Sequence, residues 1–256
     1  MYFYHKKPDS GGGFATIQSV ISGSICDLWA GEETSYSGTG TDWANLIAVP
    51  SDGSTQASND FTIDDLVSGG GVTFNTDHFV PNGVNEALEM TGAMTTFWEE
   101  IHHSTSGKQW FVAFYGDIPL TSSVALLDQT NQSSTNNGLH IISFTSGAGN
   151  IFQANGSDNA FASMPAGTIT TGKKLTLFTY DFDTSSLVIY HNGVKTSLTL
   201  TYGTASDPAT FKPRFGLMNN NALDYSANTE IYGIGYGDTF VNDTEAANLK
   251  TLYEGR

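Results

Sequence analysis

The stretch LTLFTYDFDTSSLVIYHNGV, residues 175–194, decides how the chain is read. Leu175, Leu177 and Thr179 fall on one face of an extended segment, and Phe178, Tyr180 and Phe182 on the other. Leu187–Tyr190 is a second β-prone run, and Lys195–Leu200 a third. Asn192-Gly193 joins the last two, and both residue types tolerate the positive φ of a tight hairpin turn. Asp183–Ser186 joins the first two as a longer loop. The spacing predicts a three-stranded antiparallel meander with aromatic residues on one face. The stretch reads first as scaffold, and its two aspartates and one histidine raise the question of a site.

Composition agrees with many short strands. The chain has 256 residues, 39% hydrophobic, with 28 glycines, enough for a sizeable core punctuated by turns. Its net charge is −16 with ten lysines and arginines, so no basic stripe is present to meet nucleic acid or an anionic membrane surface. Acidity of this kind serves solubility. Cys26 is the sole cysteine, which rules out an intrachain disulfide and suits a buried, inert thiol. Met1–Pro8 lacks the apolar core of a signal peptide, and no run of 18 apolar residues exists. The expectation is synthesis in a host cytoplasm without export. Asn131, Asn155 and Asn242 then match the glycosylation pattern only by chance.

Along the chain, residues 1–24 read as an N-terminal arm with a Gly11–Gly13 hinge, expected to anchor the protein. Residues 25–256 read as one β-sandwich domain of two face-to-face sheets. Thr16–Ile21 is a short strand candidate and Gly31–Thr41 a long loop. Ala93–His103 is the main helical candidate of the first half. Strands are expected at Gln109–Tyr115, Leu139–Phe144, Ile151–Ala154, Arg214–Met218 and Glu230–Tyr236. Thr244–Tyr253 closes the chain as a short helix, capped by Asp243 or Thr244, with Ala247, Leu249 and Leu252 facing inward.

Several segments, in order, resemble a known family. GKKLTLFTYDFDTSSLVIYHNGV (172–194) resembles the central meander of concanavalin A-like lectin/glucanase domains, the laminin-G-like group, through the Leu187–Gly193 pattern L-x-x-Y-x-N-G. RFGLMNNN (214–221) resembles the next strand, and IYGIGYGDTFVNDTEAANLKTLYEGR (231–256) the closing strand and terminal helix. TFWEEIHHSTSGKQWFVAFYGDIP (96–119) resembles a helix-then-strand segment of tailed-phage virion proteins. The resemblance spans residues 72–256, and the first 70 residues take no part in it. It implies an all-β, two-sheet antiparallel jelly-roll sandwich with one or two short helices. It also implies a non-enzymatic virion structural protein, a surface decoration or appendage subunit touching capsid or tail proteins or further copies of itself. The alternative from another class is a carbohydrate-binding module or receptor-binding tail component whose partner is a cell-surface glycan.

Candidate sites follow from residue chemistry. Asp181 and Asp183 sit at a strand end and in a loop, where oxygen ligands suit calcium. Lectin-like relatives sometimes bind calcium in such loops, although two aspartates also shape a turn by bonding backbone amides. Asp117, Asp128 and Asp158 are similar loop carboxylates. Glu99, Glu100, His102 and His103 have helix-face metal spacing, but no matching helix bundle supplies further ligands. The simpler reading buries Phe97, Trp98 and Ile101 and leaves the polar residues exposed. The paired-carboxylate strand motif of glucanases is missing, FTIDDL (61–66) and FWEE (97–100) do not provide it, and no Gly-x-Ser-x-Gly elbow occurs. No catalytic residue and no cofactor other than calcium is therefore assigned. Sugar contacts, if present, need aromatic residues beside amides or carboxylates. Trp43, Tyr36 and Asn131 are the candidates, with Trp29, Trp98, Trp110, Tyr225 and the 131–137 loop behind them.

Overall fold

The computed structural model describes residues 15–65, 73–81, 86–121, 123–130, 136–154, 159–201, 207–216 and 229–256. Two antiparallel sheets face each other. The first runs in the order β14 (Val194–Thr199), β13 (Ser186–His191), β12 (Lys174–Asp181), β7 (Gln109–Asp117), β16 (Glu230–Gly237), β5 (His78–Val80) and β4 (Thr73–Asn75). β1 (Ser24–Trp29) pairs with β16 on the same edge that β5 meets nearer its start. The second sheet runs β11 (Ala160–Met164), β10 (Gly149–Ala154), β9 (Gly138–Ser143), β8 (Val124–Asp128), β15 (Arg214–Phe215), β6 (Glu86–Met90), β3 (Phe61–Asp65) and β2 (Asp42–Trp43). The helices are α1 (Thr96–Glu100) and α2 (Asp243–Glu254), with short 3-10 turns at Ile17–Ser19 and Ala57–Asn59. The fold is the expected two-sheet sandwich with two short helices. Among the described residues no helix is long and apolar enough to cross a membrane.

The meander forms as its sequence dictates. β12 pairs with β13 from Thr176↔His191 to Asp181↔Ser186, and β13 with β14 through the Asn192-Gly193 turn. Both turn residues adopt positive φ, 51° and 82°, the geometry that matches strand twist. Phe178 and Tyr180 point between the sheets, into a core with Trp43, Trp98, Trp110, Phe61, Phe79 and Tyr236. Leu175 and Leu177 point the other way, into a second apolar layer with Val188, Tyr190, Tyr115 and Trp29. That layer is roofed by Ala246, Leu249 and Tyr253 of α2 and by Ile17 and Ile21. β12 is therefore buried without a break from Leu175 to Tyr180, although its sheet is antiparallel. Gly235 lies beneath this roof, where a Cβ would come 2.6 Å from Ile17 and 2.9 Å from the Tyr253 hydroxyl.

A buried ion pair locks the roof. Arg256 donates to both oxygens of Asp27 at 2.8 and 2.7 Å and to the Ala15 carbonyl at 2.6 Å. Asp27 also accepts from the Ile17 amide at 2.9 Å, and the guanidinium lies over Trp29 and Tyr253. The bidentate geometry and the extra donor offset the desolvation of both charges. Of the segment expected to be an anchoring arm, residues 1–14 lie outside the described residues, and Ile17 and Ile21 are fully buried here.

Other local expectations need correction. Thr16–Ile21 is a 3-10 turn, not a strand. The first helix covers Thr96–Glu100 only; Thr95 is extended, and after Ile101 the chain turns so that His102 enters the interior. α2 is capped by Asn242, one residue earlier than expected, in a capping box with Glu245. Its inward face is Ala246, Leu249 and Tyr253; Ala247 is exposed and Leu252 half-buried. β6, β8 and β11 were not anticipated: EALEM and AFASM are poor in β-branched residues, and a bulge between Ala125 and Leu127 breaks the alternation of β8.

Candidate functional site

The end of the first sheet at which β1 and β7 finish and β12 and β16 begin gathers several loops. β1 passes into the long loop 30–41, fastened at its base by the buried Ser35. The Ser35 hydroxyl accepts from the Trp29 amide at 3.1 Å and donates to the Ala44 carbonyl at 2.7 Å. The loop presses on the β4–β5 turn: a Cβ at Gly31 would lie 3.3 Å from Asp77. Between them opens a pocket of about 340 Å³, lined by Ala30, Glu33, Tyr36, Ser37, Phe74 and Thr76 among others. Tyr36 and Phe74 meet edge to face at 4.7 Å and both lean on Phe79, so the aromatic wall is fixed by the core. The Tyr36 hydroxyl donates to the Gly40 carbonyl at 3.1 Å, and burial pushes its pKa up. Thr76, at the tip of the turn, holds a φ of 56°, a strained state for a β-branched residue.

Beside this pocket lies a second aromatic cluster. His78 stacks on Tyr232 at 4.7 Å and bonds Asp77 through Nδ1 at 2.8 Å. Lys173 Nζ sits 3.7 Å from the centre of the Tyr232 ring and 3.9 Å from Asp77. Burial lowers the Lys173 pKa, with Asp77 and Glu230 pulling it back.

His191, in the opening stretch, borders a different pocket of about 310 Å³ with Pro165, Thr168, Thr170 and Val194. The Thr170 amide donates to its Nε2 at 3.0 Å, so Nδ1 carries the proton and donates to Thr176 Oγ1 at 2.9 Å. Burial, then the nearby Lys174, lowers its pKa to about 4. Both ring nitrogens are thus engaged within the protein. The Tyr36–Phe74 pocket, with its aromatic wall, hydroxyls and carboxylate, offers the richer chemistry for a ligand.

The residues singled out in sequence are scattered. Trp43 is fully buried between the sheets, edge-on to Phe79, and Trp98 and Trp110 are fully buried as well. Trp29 stacks on Tyr115 in the outer layer. Tyr36 forms the pocket wall. Asn131, Tyr225 and Asp158 lie outside the described residues. Asp183 takes the Gly107 amide with both oxygens, at 3.1 and 3.0 Å, and Asp181 takes the Asp183 amide at 3.0 Å, so both carboxylates hold backbone. Asp117 accepts from the Gly172 amide at 2.6 Å. Asp128 is buried on β8 beside His140. Phe97, Trp98 and Ile101 are buried as the amphipathic reading required, but His102 is buried with them. His102 and His103 both point Nε2 at the Asp207 carbonyl at 3.0 Å, and burial, then His103, lowers the His102 pKa to about 4. Among the described residues no three potential metal ligands cluster. Glu33, Phe74 and Thr76 were not singled out. The one available signal was the length of the loop 31–41 that carries Tyr36.

No protein-family model matches the chain, and no curated protein does. Solved structures do. Trypanosoma rangeli sialidase in complex with sialic acid aligns with a TM-score of 0.62 at 11% identity, over 91% of this chain and 33% of that one. The same enzyme with a difluoro-KDN ligand aligns at 0.58 and 12%, over 98% and 36%. The CBM40 of Ruminococcus gnavus IT-sialidase aligns at 0.45 and 13%, over 57% of this chain and 84% of the module. The chain spans 24% of the Streptococcus pneumoniae NanB sialidase, at a TM-score of 0.46 and 19% identity. At these identities the likeness to the Trypanosoma enzyme is one of fold, a two-sheet antiparallel β-sandwich.

Proposed function

We propose that the chain is a non-catalytic, carbohydrate-binding β-sandwich that takes a cell-surface glycan in the Tyr36–Phe74 pocket. The pocket carries the reading: the half-buried Phe74, braced by the buried Tyr36, lines one opening together with Ser37, Thr76 and Glu33. Aromatic surface beside a few polar groups is the chemistry that accepts a sugar's C–H face and its hydroxyls together. Calcium is not required in this reading. The setting proposed is a virion, as a decoration or receptor-binding appendage of a tailed phage in contact with capsid or tail proteins. Its support is the resemblance of residues 96–119 and the order of the motifs that follow.

Two measurements test this. Oligosaccharide binding is measured by calorimetry for the native chain and for Ser37→Trp, which fills the exposed mouth without touching the core. Binding by the native chain and a loss of at least about tenfold in the variant are expected. Equal binding by both removes the pocket from the account. Density-gradient sedimentation of native lysate tests the setting: the chain is expected with particles in stoichiometric amount, and recovery only as free protein overturns it.

A further inference from the structure

We infer that the Tyr36–Phe74 pocket selects neutral sugars and rejects acidic ones, with Glu33 as the residue that sets the selection; this rests on the carbohydrate reading above. Glu33 is the one charged side chain among the described lining residues, and it is exposed at the opening. Its acidic neighbours face cations elsewhere: Asp77 pairs with His78 and Lys173, and Glu32 lies within electrostatic reach of Arg256. No cation lines the pocket among the described residues. The nearby Lys173 lies over the face of Tyr232 and beside Asp77, outside the pocket lining. The whole chain adds to the bias with its net charge of −16.

A carboxylated sugar entering this opening meets Glu33 at short range with no partner for its own charge. A repulsion of that kind, part-screened by solvent, weakens binding by about tenfold. A neutral sugar instead donates its hydroxyls to Glu33, a charge-assisted contact that a carboxylate makes well. The half-buried Phe74, braced by Tyr36, meets the apolar face in either case, so it cannot supply the discrimination. Glu33 supplies it.

The experiment compares matched probes, neutral oligosaccharides against the same chains ended by glucuronate, galacturonate or sialate, on the native protein and on Glu33→Gln. Gln keeps hydrogen-bonding capacity and removes the charge at an exposed site, so the fold is not at stake. The native protein is expected to prefer the neutral member of each pair by about tenfold, with a steeper penalty at low salt. In Glu33→Gln that preference is expected to fall to within about twofold, because the acidic probes bind better and the neutral probes lose the charge-assisted contact. Equal or tighter binding of acidic probes by the native protein overturns the selection while leaving a carbohydrate site standing. A preference unchanged by Glu33→Gln overturns the role of Glu33. Absence of binding to every probe overturns both the selection and the function it rests on.

Discussion

The two sheets of this sandwich differ in what covers them. The central strands β7, β12 and β16 of the first are buried on both faces, by the second sheet within and by α2 with Ile17 and Ile21 outside, while its edge strand β14 is largely exposed. In the second, β8 and β9 are also buried throughout, with Ala125, Ile142 and Phe144 forming a small cluster of their own, but the edge strand β11 alternates: Ala160, Ala162 and Met164 face in, while Phe161 and Ser163 are exposed. Phe161 is 56% exposed, one of the few large apolar side chains left to solvent. A sheet clamped on both faces has little freedom, and it is from its end that the Tyr36 loop and the β4–β5 turn project. Rigid elements place a binding loop more reproducibly than mobile ones.

That contrast breaks first at the buried ion pair. Asp27→Ala leaves the Arg256 guanidinium charged, buried and without its carboxylate, at a cost of about 3–5 kcal/mol. Denaturant unfolding should show a lowered midpoint, and an unchanged midpoint would deny the roof its lock. Next comes the apolar roof. Leu249→Ala, fully buried, should lose about 2–5 kcal/mol, whereas Phe161→Ala on the open face should stay within about 0.5 kcal/mol. Similar losses at the two positions would mean that β11 also has an outer cover.

Acid sharpens the comparison. An unfolded histidine takes up its proton near pH 6.5, while His191 and His102 in the fold wait until about pH 4. Between those values the unfolded chain binds more protons, so stability falls as pH drops. The stability involved is fully present above pH 6.5, and each histidine removes up to about 3 kcal/mol of it by pH 4. Urea midpoints at pH 7, 5.5 and 4 should fall in that order. His191→Gln should flatten part of the slope, and a pH-independent midpoint contradicts the buried neutral rings. A smaller effect than at the roof is expected at the hairpin: Gly193→Ala, at a φ of 82°, should cost about 1–2 kcal/mol and leave glycan binding unchanged.

The clamped sheet was largely legible in the amino-acid order. Alternating apolar residues and Asn192-Gly193 spelled out β12 to β14, and β16 was equally clear. The roof was less so. α2 was foreseen, but a cap one residue earlier turned Ala246 and Tyr253 inward in place of Ala247 and Leu252. The Arg256–Asp27 pair left no local trace, because its partners are 229 positions apart. The pocket joins residues 30–38 to 74–76, and only Tyr36 among its walls announced itself. Trp43 drew notice as an aromatic residue in irregular sequence, yet strand β2 turns its indole wholly into the core. His102 was expected outside with its polar neighbours, but a helix ending at Glu100 redirects it inward.

The central claim is that the loops at the end of the doubly covered sheet hold the ligand. Backbone amide chemical-shift mapping with neutral oligosaccharides tests it most directly. The account predicts shifts concentrated in residues 30–38 and 73–77, absent in Ser37→Trp. Shifts centred instead on Phe152 and Phe161 of the second sheet, or no shifts at saturating sugar, would contradict it.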